Sequence, residues 1–292
     1  MPDVTLVGHN HPAPYGLSIL DTGANALVAS GDNGGGVCIW NIPQNRTEKM
    51  EVEAKSTSEL EPTFKVSCHE KAVNDVALAP ESNDAHAVFS SVSDDGSIAF
   101  WDTRVPEKSP TTRVIGAHDA DVYCCDWNQR KSHWVITGGA DRVIKVWDCR
   151  ALTTTQGIPS PVSEFKEHGA GVFELHWNTH NTNVFAAGSA DATVTVWDLS
   201  CARGSSNVSG AAVAETCFTG SHRPPRELIF RHRGHTHKIS NLDWCPAKTD
   251  SWLMASISED DSGSTVQLWR MLDLVYLNRR KSLAELTALR SA

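Results

Sequence analysis

Five times along the chain a tryptophan closes a short run of alternating apolar residues, and each has a histidine well upstream. The pairs are His9 and Trp40, His69 and Trp101, His118 and Trp147, His168 and Trp197, and His235 and Trp269. Their separations are 31, 32, 29, 29 and 34 residues, whereas the spacing between successive pairs is looser. A steady internal distance with variable linkers is what a folded module joined by loops produces. The tryptophans are followed by Asn41, Asp102, Asp148, Asp198 and Arg270.

Within a module the pattern reads as strands. Residues 171–177 and 183–189 form two apolar runs, and Thr-Val-Thr-Val-Trp at 193–197 alternates strictly, with Ala190-Asp191-Ala192 as the tight turn between the last two. Short strands at this spacing, each unit ending in the marking tryptophan and three of the five in Trp-Asp, predict four-stranded propeller blades. The expected class is an all-β WD-repeat propeller, one domain over 1–292. Five blades are legible, at about 5–42, 64–104, 112–150, 162–199 and 228–271.

Polar residues recur at fixed places in the blades. His118, Thr137, Asp141 and Trp147 form one set, His168, Ser189, Asp191 and Trp197 a second, and His69, Ser93, Asp95 and Trp101 a third. The aspartate precedes the tryptophan by six in all three. In the first and fifth blades an insertion places Asp32 and Asp261 eight before it. Histidine, hydroxyl and aspartate are also the members of a nucleophilic triad. A catalytic set, however, occurs once per site, and this one repeats. Its expected role is a buried chain from the Trp N–H through the hydroxyl to His and Asp, locking each blade. No unrepeated constellation of reactive groups points to an enzyme, and no cofactor is implied.

Composition narrows the partners. The net charge is −9, which suits a basic protein partner better than nucleic-acid phosphates. None of the eight cysteines (Cys38, Cys68, Cys124, Cys125, Cys149, Cys201, Cys217 and Cys245) belongs to a C-x-x-C pair. The expectation is buried free thiols in a reducing compartment, with no metal. No basic-then-apolar leader and no membrane-length apolar run is visible, so the chain reads as intracellular and soluble. Residues 43–63 and 200–226 read as long loops. Leu283, Leu286 and Leu289 at helical spacing, with Ser282 and Glu285 as a capping pair, predict a terminal helix over 281–291.

Several words in the chain resemble one family. Pro224-Pro225-Arg-Glu-Leu-Ile-Phe, Gly234-His235-Thr-His-Lys-Ile-Ser, Ser256-Ile-Ser-Glu-Asp and Val-Gln-Leu-Trp-Arg-Met at 266–271 are similar to the last repeat of the histone-binding WD proteins. These are the retinoblastoma-binding proteins and their plant multicopy-suppressor-of-IRA counterparts. Ala-His-Asp-Ala-Asp-Val at 117–122 and the Gly/Ser insertion before Trp269 look most like a plant flowering-time member. The resemblance implies a seven-bladed ring that begins with a long helix, of which this chain carries five blades. It implies a nuclear scaffold that binds histone H3–H4 within deacetylase, Polycomb and chromatin-assembly complexes, without direct nucleic-acid or membrane contact.

Two surfaces follow. A strand-entry residue five after each blade's histidine, on the face where propellers take partners, gives Asn74, Tyr123, Phe173 and Ser240, with Tyr15 as the first-blade equivalent. In the family this ring of positions receives the H3 tail, and Asn74 stands where a glutamate is usual. Pro224 and Pro225 mark the histone H4 side, where the animal members carry an acidic loop and this chain reads Phe-Thr-Gly-Ser-His-Arg. Separately, Trp101-Asp102-Thr-Arg104 and Trp147-Asp148-Cys-Arg150 match the W-D-x-R box of cullin-4 ubiquitin-ligase substrate receptors. In that family the Asp and the Arg face the ligase adaptor.

Overall fold

The computed structural model describes residues 4–10, 13–43, 58–152, 159–202, 224–260 and 263–271. The predicted helix at 281–291, Asp261 and Cys217 lie outside them, as does most of the two predicted loops. The chain divides into two compact units. One is Met1–Lys166 with Ala170–Val172, and the other is Glu167–Gly169 with Phe173–Ala292.

The first unit holds three four-stranded antiparallel sheets. Sheet one contains β2 (Pro14–Asp21), β3 (Asn25–Asp32), β4 (Gly36–Pro43) and β6 (Phe64–Ser67). Sheet two contains β7 (Val73–Leu78), β8 (Val88–Ser93), β9 (Ile98–Asp102) and β10 (Thr112–Val114). Sheet three contains β11 (Val122–Trp127), β12 (Trp134–Gly139), β13 (Ile144–Asp148) and β14 (Ser163–Phe165). The second unit holds β15 (Val172–Trp177, beginning at Phe173 within this unit), β16 (Val184–Ser189), β17 (Val194–Asp198) and β18 (Leu228–His232) as sheet four. Sheet five is β19 (Ile239–Trp244), β20 (Leu253–Asp260) and β21 (Gly263–Arg270). These are the blades of a WD-repeat propeller.

Each four-stranded sheet takes its outermost strand from the start of the next sequence repeat. β6 precedes His69 in sequence but hydrogen-bonds to β4, pairing Gly36 with Ser67 and Ile39 with Phe64. Within each unit, consecutive blades are thereby fastened by covalent continuity as well as by packing. Part of the predicted loop at 43–63 is also ordered: β5 (Ser58–Leu60) pairs in parallel with β1 (Val4–Leu6) beside Trp40.

Alternation places the core. Val37 and Ile39 of β4 face Val76 and Leu78 of β7 in one buried cluster, and all four are almost inaccessible. The approach is close enough that a Cβ on Gly31 would lie 2.4 Å from Val73 Cγ1, so only glycine fits there. Each tryptophan packs on the residue paired with it across the ladder. Phe89 stacks on Trp101 at 5.6 Å and Phe185 on Trp197 at 6.1 Å.

Candidate protein-interaction site

The recurring polar set is built from strand ends and turns. In sheet three, Trp147 Nε1–H donates to Thr137 Oγ1 at 2.9 Å, and Thr137 lies 2.8 Å from His118 Nε2. His118 Nδ1 lies 2.9 Å from Asp141 Oδ2. With a neutral imidazole protonated on Nδ1, donors and acceptors match along the whole chain. Asp141 also accepts from Val143 N and Asp119 N, so the same carboxylate holds the turn.

Two hydroxyls differ from the sequence expectation. In sheet two the bridging group is Ser91, which accepts from Trp101 at 2.9 Å and lies 2.8 Å from His69 Nε2. Ser93 donates to Lys71 O instead. In sheet four the bridging group is Thr195, 2.8 Å from both Trp197 Nε1 and His168 Nε2. Ser189 is displaced from that role and accepts from Asp191 N in the turn. The ladder gives the reason. Ser91 pairs with Ala99, whereas the position corresponding to Ser91 is Ala187, which pairs with Thr195. The hydroxyl has crossed to the neighbouring strand and still reaches the same point.

The outer repeats vary the theme. In sheet five, Ser256 bridges Trp269 and His235, while Ser258 occupies the place of the aspartate, 2.8 Å from His235 Nδ1. In sheet one, His9 reaches Asp32, but Trp40 donates to Val7 O and Leu60 O, and the buried His9 Nε2 has no hydrogen-bond partner among the described residues. Burial alone would raise the carboxyls of Asp95 and Asp191. Hydrogen bonds from His69 and Ser97, and from His168 and Thr193, outweigh it and hold both far below the usual carboxylate range. Burial and the nearby His232 lower the His235 pKa.

The strand-entry residues share a geometric cause. Ladder register slips between Val73 and Asp75, between Val122 and Cys124, between Ile239 and Asn241, and between Pro14 and Leu17. Asn74, Tyr123 and Ser240 are therefore the extra residues of β-bulges, and Tyr15 and Gly16 together stand opposite the single Gly31; such bulges turn a side chain out of the ladder. Tyr15 and Phe173 are exposed, and Tyr123 and Ser240 half-buried. The Asn74 amide donates to Asp94 Oδ1 at 2.6 Å and to Val122 O at 2.8 Å.

Sequence reasoning missed the acids around this pair. Asp94 contacts Asn74, and burial together with the charges of Asp121 and Asp94 raises the Tyr123 hydroxyl pKa. Lys71 reaches across, 4.0 Å from Asp121 Oδ1 and donating to Asp94 O. The available signal was positional, since Asp121 directly precedes β11 and Asp94 directly follows β8. Pro224 and Pro225 lie just before β18 and are half-buried.

The two W-D-x-R boxes adopt one geometry. Arg104 forks onto Asp102 at 2.6–3.0 Å, and Arg150 onto Asp148 at 2.7–3.0 Å. Both arginines remain exposed. The fork lowers both aspartate pKa values. Residues 149–152 continue from the second box as a single helical turn, α1 (Cys149–Leu152). Among the described residues no cluster has a metal-binding donor set, and no disulfide joins Cys38, Cys68, Cys124, Cys125, Cys149, Cys201 or Cys245.

The family model described as WD domain, G-beta repeat matches residues 60–102, 109–148 and 159–198. These three segments are WD repeats. The chain is 36% identical over 310 residues to the WD-40 repeat-containing protein MSI4 of Arabidopsis thaliana, an alignment that takes in 99% of this chain. The chain spans 57% of the length of that relative. This WD-repeat likeness agrees with the family resemblance carried by the last repeat.

Proposed function

We propose that the chain is a non-catalytic nuclear scaffold that binds histone H3–H4 and brings chromatin-modifying complexes to it. One observation carries the reading. Two bulged residues, Asn74 and Tyr123, stand among the carboxylates of Asp94 and Asp121. An aromatic edge beside two acids suits a lysine- or arginine-bearing peptide. The net charge of −9 and the likeness to MSI4 support the same reading. The histidine–hydroxyl–aspartate chains are in this reading structural, since they recur from blade to blade.

The test is fluorescence anisotropy with labelled H3 and H4 peptides at several salt concentrations. Binding that weakens with salt, and at least several-fold further in Asp121→Asn and Asp94→Asn, is the expected result. Absence of binding to both peptides at low salt overturns it.

The duplicated Asp–Arg fork supports a second reading, a substrate receptor for a cullin-4 ubiquitin ligase. Both guanidiniums are exposed at the ends of adjacent blades. Co-precipitation with the ligase adaptor, lost in Arg150→Ala and in Arg104→Ala, is expected on this reading. Undiminished capture by both variants removes it.

A further inference from the structure

The first three blades enter their outermost strand through the same kind of step, a residue followed by proline. In sheet one, the Thr63 N–H and the Thr63 hydroxyl both donate to Ile39 O. In sheet two, the Thr111 N–H and hydroxyl both donate to Phe100 O. In sheet three, the Val162 N–H donates to Val146 O. Ile39, Phe100 and Val146 each directly precede the marking tryptophan, so Thr63, Thr111 and Val162 hold one place in the blade. The pairs before them are Glu61-Pro62, Ser109-Pro110 and Ser160-Pro161.

The whole sequence contains two Ser-Pro pairs and no Thr-Pro pair. Both Ser-Pro pairs fall at this one structural position, in neighbouring blades of one compact unit. Glu61, Ser109 and Ser160 are exposed, and the proline after each is half-buried. A residue before proline is held in the extended region, because the ring clashes with a helical one. In sheet two, a turn closed by Lys108 N–H donating to Val105 O, with Lys108 at φ 50°, comes immediately before Ser109. The Thr111 hydroxyl is tied to Phe100 O as part of the strand, whereas Ser109 lies outside the ladder. An exposed serine in extended backbone, followed by a residue without an N–H, is the form in which a proline-directed kinase takes its substrate. Blade one adds a second observation. Glu61 already places a negative charge at this position, so the fold accepts one there.

We propose that Ser109 and Ser160 form a paired phosphorylation site for a proline-directed serine kinase, the two phosphates extending the acidic position that Glu61 begins. The serine Oγ attacks the γ-phosphorus of a nucleoside triphosphate. The bond from that phosphorus to the β–γ bridging oxygen breaks, the diphosphate leaves, and the hydroxyl proton passes to the kinase's aspartate. Each event replaces a neutral hydroxyl by about two negative charges. Neither functional reading above is needed for this.

The test incubates the full native chain with a cyclin-dependent kinase and ATP, and maps phosphopeptides by mass spectrometry. Phosphate is expected on both Ser109 and Ser160. Pro110→Ala and Pro161→Ala should each lower incorporation at its own serine at least tenfold and leave the other unchanged. Tryptophan fluorescence checks that the proline variants fold. Should either misfold, the double variant Ser109→Ala with Ser160→Ala, which keeps both prolines, replaces them and should abolish incorporation. Ser109→Glu and Ser160→Glu should keep the urea midpoint of wild type, since blade one carries a glutamate at the same place. A native chain that takes up no phosphate at either serine overturns the proposal. So does incorporation indifferent to the prolines or persisting in the double alanine variant, and so does a lowered midpoint in either glutamate variant.

Discussion

Exchanging the bridging hydroxyl of sheet four between strands is a direct test of the blade network. Thr195 accepts from Trp197 and lies 2.8 Å from His168 Nε2, in a fully buried position. Thr195→Ala removes that partner from both rings. Each lost buried bond costs about 1–2 kcal/mol, and the lost methyl about 1 kcal/mol more. The single variant should therefore lose roughly 3–5 kcal/mol of stability. Adding Ala187→Ser installs in sheet four the Ser/Ala pair that sheet two already has at Ser91 and Ala99. The double variant should recover about 2–3 kcal/mol, because the new hydroxyl faces the same two rings from across the ladder. Urea unfolding followed by tryptophan fluorescence measures both, with an unchanged slope confirming that the same cooperative unit is compared. The reasoning fails if Thr195→Ala costs less than about 1 kcal/mol, or if the double variant is no more stable than the single one.

Acid should act on the blades in two steps of the same sign. The His235 pKa is lowered from 6.5, so the folded state disfavours its protonation, and stability is full above pH 6.5 and declines as pH falls below it. Asp95 and Asp191 are lowered from 3.8, so their contribution is complete above that pH and is lost as pH falls through the lower folded values. Thermal unfolding at pH 7.5, 5.5 and 3 reads both, and Ser258→Asp, which supplies a carboxylate to His235, should abolish the first. Ala192 holds φ at 64°, so Ala192→Gly should stabilise the chain by about 1 kcal/mol in the urea assay. Burial pushes Cys38 and Cys68 up to about 11 and Cys149 up to about 12. At pH 8 all three should resist a disulfide reagent in the native chain and react once urea unfolds it, as peptide mapping of the labelled sites would record.

The strands and their order were legible because a half-buried ladder has a period of two and the tryptophan marks its end. The same period explains the error at Ser93. Ser91 and Ser93 are two residues apart on one strand and share a face, so alternation cannot choose between them. The error at Ser189 has a different origin. Sequence spacing counts along a strand, whereas the hydrogen bond acts between strands, and Thr195 reaches His168 from the strand opposite Ala187. β5 was hidden because a three-residue strand in a charged, serine-rich stretch carries no alternation to read.

The candidate site was half legible for a related reason. A fixed count from each histidine found the bulged residues, since the bulge lies at a set distance from the turn that the histidine anchors. It could not find the acids, because Asp94 and Asp121 come from different repeats and meet only when β7 and β11 pack together. Asp94 contacts Asn74, and the adjoining Asp95 is held by His69 and Arg113. The turn that carries Asp94 is therefore the turn that the blade network fixes. On this geometry, Asp95→Asn should weaken peptide binding as well as stability, although Asp95 is itself buried away from the peptide. If Asp95→Asn lowers the urea midpoint but leaves peptide affinity unchanged under native conditions, the network stabilises the blade without positioning the site.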